Sequence, residues 1–100
     1  MESITIHYFK GWHMFPWEKR CDKETYILKI PTKVYEIIIS KIVMNGYVLI
    51  SLSEPQNFSY GCGPTQPIDK IQLFKDGSIG YLYDGELLTW KHHKPTWTFS

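Results

Sequence analysis

The chain of 100 residues contains no alanine and a single arginine, Arg20. Alanine costs nothing in a helix, so folding physics gives no reason to leave it out. Its absence, beside abundant Ile, Lys and Tyr, points to an AT-rich genome and, for so small a protein, to a phage or mobile element. Acids and bases nearly cancel, at a net charge of +1. That makes the chain a poor candidate for tight non-specific DNA binding, which depends on clustered cations, though it leaves room for a local basic patch, and it rules out an acidic mimic of DNA. No apolar run approaches the length that spans a bilayer. "MESITIHYFK" lacks the basic and then apolar regions of a leader, so a cytoplasmic location is expected. Cys21 and Cys62 are then expected to be thiols.

Motifs for chemistry are equally scarce. Neither cysteine belongs to a close ligand pair, so a zinc site drawn from Cys21, Cys62, His13, His92 and His93 is not indicated, and no metal or cofactor is expected. Cys62, set between Gly61 and Gly63, has the surroundings of a presented thiol but no family signature, and glycine is also what a turn requires. "GCGP" lacks the lysine of a phosphate loop and leads into no helix. Asp76 and Asp84 are explained by the turns they begin.

What is present is ordinary globular composition, with 43% hydrophobic and 21% charged residues. The length fits one domain, 1–100, with a modest core. Aromatic residues, at 16% with four Trp, exceed what that core needs and suggest a recognition surface.

Alternation of Ile4, Ile6 and Tyr8 predicts a strand over 3–9, followed by a loop carrying Trp12, Phe15 and Trp17, then a strand over 25–30. Helical spacing of Lys33, Glu36, Ser40 and Lys41 predicts a helix over 33–45 with Val34, Ile38 and Ile42 on its apolar stripe. Thr32 would be its N-cap and Asn45-Gly46 its stop. A hairpin turning at Asn45-Gly46 is the rival reading, set aside because alternation fails across 36–43. A strand over 47–53 precedes a long Pro- and Gly-rich loop, 54–69. Strands over 69–75, 78–83 and 86–91 then form a meander through Asp76-Gly77 and Asp84-Gly85, leaving a tail without clear period.

Two-residue turns at both Asp-Gly pairs would set Phe74 opposite Ile79 and Tyr81 opposite Leu88. One face would then gather Phe74, Ile79, Tyr81, Tyr83, Leu88 and Trp90, while the other, with Gly80, would pack under the helix. The expected fold is α+β: one antiparallel sheet of about six strands with one helix on a face, in the order ββαββββ. The expected function is binding rather than catalysis, with that aromatic face and Trp12, Phe15 and Trp17 docking a host protein, for example to inhibit a defence or housekeeping enzyme, or pairing two copies as a homodimer. The alternative is a nucleic-acid module using the aromatic and basic stretch from Trp12 to Arg20.

Overall fold

The structure is a computed structural model in which residues 1–12, 20–59, 65–88 and 93–100 are described, with the side chains of Trp12 and Arg20 outside that description. Among the described residues, seven strands and one helix follow the order β1 (Glu2–Trp12), β2 (Arg20–Ile30), α1 (Thr32–Asn45), β3 (Tyr47–Ser59), β4 (Thr65–Phe74), β5 (Ile79–Tyr83), β6 (Glu86–Leu88) and β7 (Thr96–Phe99). The α+β class is as expected, but the single six-stranded sheet is not. The strands form two antiparallel sheets, one ordered β2-β1-β7 and the other β3-β4-β5-β6. The reason is coverage: each sheet has an apolar face to bury, and α1 offers only Ile38 and Ile42 fully buried. Two sheets and the helix share one core instead, which takes in Ile4, Ile6, Val48, Phe58, Leu73 and Tyr81.

The helix is present and the rival hairpin is not. It starts one residue earlier than expected, at Thr32, with Pro31 in the cap position and no side-chain cap. The Pro31 carbonyl instead accepts the first hydrogen bond, from Tyr35 N at 2.9 Å. Gly46 ends the helix in the left-handed region (φ 84°), donating its N–H to Ile42 O. Val34 belongs outside the buried stripe, at 44% exposure.

The long loop expected over 54–69 is mostly strand. β3 runs on to Ser59 and β4 begins at Thr65. Ser51 pairs with Lys70 and Gln56 with Ile68, so β3 spends four residues where β4 spends one. Pro55 falls inside this bulge, which is where a residue without an N–H is tolerated. Past the irregularity, Phe58 enters the core at 2% exposure. Its ring stacks on Tyr81 of β5 (centroids 4.8 Å apart, planes at 15°) and takes the edges of Tyr8 of β1 (5.1 Å) and Tyr26 of β2 (5.6 Å). One ring thus links both sheets.

The Asp84-Gly85 turn matches expectation: Tyr83 pairs with Glu86 and Tyr81 with Leu88, with both turn residues at positive φ. The Asp76-Gly77 turn does not. Its loop has three residues, Lys75 to Gly77, closed by Phe74 N→Ser78 O and Gly77 N→Phe74 O, each at 3.0 Å. Gly77 lies at φ 90°, the pattern of a type I turn with a bulge glycine. Asp76 Oδ1 accepts from Ser78 N (2.9 Å) and Ser78 Oγ (2.6 Å), and this holds its carboxyl below the ordinary range. The extra residue shifts the register by one, so Leu73 pairs with Ile79, Gln72 with Gly80 and Ile71 with Tyr81.

Two outcomes follow from this packing. Phe58→Leu is expected to lower unfolding free energy by about 1–3 kcal/mol through lost ring contacts, read as a lower urea midpoint at unchanged slope. Gly77→Ala should cost roughly 1–2 kcal/mol, because a side chain is forced into the left-handed region; a denaturation midpoint equal to wild type would show that the turn relaxes freely.

Candidate functional site

In a strand the side chains alternate between faces, so a register shift of one residue moves a whole row to the other side. The expected aromatic face is therefore divided. Phe74 lies with Gln72, Gly80, Leu82 and Leu87 on the outward face of the four-stranded sheet. Ile79, Tyr81 and Leu88 lie on the inward face. Ile79 is buried and Tyr81 is only 1% exposed, so neither ring nor branch is presented to a partner. Tyr83 is exposed at the end of β5 and Leu88 is half-buried. Phe15, Trp17 and Trp90 lie outside the described residues, as does the side chain of Trp12, whose backbone pairs with Arg20.

Gly80 does permit a close approach, but not by the helix. A Cβ placed there would come within 2.5 Å of Leu87 Cδ1 and 3.6 Å of Phe74. Leu87 thus lies over the glycine as a neighbour on the same face. The helix packs on the inward side, where Tyr35 meets Phe99 edge-on at 5.3 Å.

Exposed apolar side chains cluster also on α1 and at the start of β3. On α1 the buried residues Ile38 and Ile42 sit four apart, and the opposite half still carries Ile37, Val43 and Met44, the last 80% exposed. Beyond Gly46, Tyr47 and Leu49 of β3 stand outward at 47% and 49% exposure, on the face opposite buried Val48. A run from the second turn of the helix into the first residues of β3 thus exposes apolar side chains at nearly half of its positions. The signal was in the sequence, where "EIIISKIVM" has too few polar residues to furnish a solvated face. No family model, no curated protein and no solved structure matches the chain. The surface has to be read from its own chemistry.

Cys21 is disulfide-bonded, which corrects the expectation of a thiol. Cys62, like His13 and His92, lies outside the described residues. Among the described residues no group of three or more His, Cys, Asp or Glu is placed to hold a metal ion.

The perturbed phenols belong to the core. Burial, then the neighbouring Tyr8, pushes Tyr81 far above its ordinary value of 10.0, while burial and then Glu24 raise Tyr8. A raised phenol stabilises the fold fully below pH 10 and loses that contribution as pH rises toward its folded value. Wild-type stability should thus fall above pH 10, by up to about 1.4 kcal/mol per pH unit for the buried Tyr81, with a smaller, solvent-screened share from Tyr8. Tyr81→Phe should flatten this alkaline limb in urea titrations between pH 9 and 11; an unchanged slope would place the cause in other groups.

Proposed function

We propose that the chain is a protein-binding module whose docking surface is the outward half of α1, centred on Ile37, Val43 and Met44, continued by Tyr47 and Leu49 of β3. The exposure of five apolar side chains over thirteen residues carries this reading. Contiguous apolar surface is costly to leave in water, and on small domains it marks interaction sites. Its composition also suits binding. Met adapts its shape to a partner, and Tyr brings contact area at low entropic cost. Glu36 and Lys41 on the same helix provide polar groups at the margin.

The alanine-free composition that suggests a phage or mobile element makes a host protein the partner class, with occupation of that protein's own working surface as the mode of inhibition. The surface assignment differs from the ribbon face expected above because Ile79 and Tyr81 are buried. A nucleic-acid reading of the stretch from Trp12 to Arg20 rests on residues mostly outside the described ones.

Affinity purification from the organism encoding the protein, with wild type and a Val43→Lys/Met44→Glu variant in parallel, tests the proposal. Both positions are exposed, so circular dichroism and urea midpoint should not change. A partner held by wild type is expected to bind the variant about tenfold or more weakly. Equal retention by both proteins would remove this surface from the interface. Sedimentation of the purified chain separates the homodimer case, since a dimer that the same substitutions dissolve would make the partner a second copy.

A further inference from the structure

The three-stranded sheet turns its other face to solvent, and that face has a chemistry of its own. Ile4, Ile6 and Trp97 are buried, so the residues alternating with them point outward: Ser3, Thr5, His7 and Phe9 on β1, Thr96 and Thr98 on β7, and the odd-numbered residues of β2. Pairing places Thr5 between Ile27 and Thr98, His7 between Thr25 and Thr96, and Phe9 beside Lys23. His7 Nε2 and Thr98 Oγ1 are 3.2 Å apart, and Thr5 hydrogen-bonds Ser100. Phe9 meets the ring of His93 edge-on at 5.0 Å.

The described acids of the hairpin all fall on one face. The cations Lys23 and Lys29 fall at odd positions of β2, on this outward side, while the acids Asp22 and Glu24 on β2 and Glu2 on β1 fall at even positions, together with Lys10. A chain of net charge +1 thereby carries a locally cationic surface. Beside this face opens a cleft of about 490 Å³, reached also by Tyr8 and Glu24 from the other side of the ladder, within the roughly 300–1,000 Å³ typical of ligand sites. Its walls include His7, Phe9, Lys23, Thr25, Lys94 and Thr96. Glu24, which pairs with Tyr8 across the ladder, is the one carboxylate among the described lining residues.

From this arrangement we infer that the outward face of the β2-β1-β7 sheet binds single-stranded nucleic acid. Lys23 and Lys94 neutralise phosphate, Thr25 and Thr96 donate to phosphate or sugar oxygens, and the Phe9 ring, beside His93, takes a stacked base. Cations, hydroxyls and one accessible ring on a sheet face are the groups that single strands use, and they read backbone and base plane rather than sequence. Lys29 extends the cationic row six residues along β2, about 20 Å at strand spacing, which favours several linked nucleotides over one. This surface is separate from the helix surface proposed above, so either can fail alone.

Fluorescence anisotropy with a labelled twelve-residue oligothymidylate, over a series of salt concentrations, tests the inference. Binding should weaken with salt, log K falling by about 0.7 per log unit of salt for each phosphate contacted. Lys23→Gln/Lys94→Gln should lower affinity about tenfold and reduce the slope by about 1.4. Phe9→Leu should weaken binding several-fold at an unchanged slope. Lys75→Gln, a loss of charge in the β4–β5 turn, should leave binding as it is. Absence of binding by the wild-type protein at about 50 mM salt would overturn the inference, as would equal losses from Lys75→Gln and the paired variant. Thymidine monophosphate competing as well as the oligomer, nucleotide for nucleotide, would overturn the single-strand occupant.

Discussion

The turn from Phe74 to Ser78 is where the three parts of the molecule are fastened together. Its two carbonyls at Phe74 and Gly77 accept from Trp97 Nε1 (2.9 Å) and Trp97 N (3.0 Å), which brings β7 and with it the three-stranded sheet onto the four-stranded one. Lys75 N donates to Gly46 O at 2.9 Å, which fixes the end of α1 at the same point. Ser78 and Thr96 add a β-bridge. A two-residue turn would leave these carbonyls elsewhere and bring Leu82, not Tyr81, opposite Ile71. Asp76, by holding Ser78 from its side chain, selects the longer loop.

What that turn positions is the ring of Tyr81 against Phe58. Phe58 arrives from the other direction, past a bulge that lets β3 bend across the molecule. Tyr8 and Tyr26 close on it from the opposite sheet. The aromatic surplus therefore has a structural use: four rings from four strands form the contact between sheets, and each pair adds about 0.5–1.5 kcal/mol beyond its buried area. This core is built from rings as well as aliphatic branches.

Two solvent-facing surfaces of opposite character remain. One, on α1 and β3, is apolar and little charged; the other, on the β2-β1-β7 sheet, carries lysines and hydroxyls around Phe9. They come from the two devices by which a strand or helix sorts its residues. The helix has apolar residues around its whole circumference and can bury only one side. The hairpin alternates, sending Lys23 and Lys29 one way and Asp22 and Glu24, with Lys10, the other.

Local chemistry was legible from the sequence alone. The helix with its glycine stop, the existence of β1 and β2 and the Asp84-Gly85 turn follow from periodicity and from the few residues that accept positive φ, whereas the extension of β1 to Trp12 and of β2 back to Arg20, where a loop was expected, does not. Prolines misled over 54–69, where Pro55 sits in a bulge and Pro67 pairs with Asn57. The thiol expectation failed at Cys21 because composition near an N-terminus does not decide which cysteines are brought together. Sheet partition, the one-residue register at Asp76 and the side of each element that stays wet were decided only in three dimensions. Those depend on which apolar faces find one another across the core, and residues distant in sequence, such as Trp97 and Phe74, set that choice through contacts no local pattern encodes.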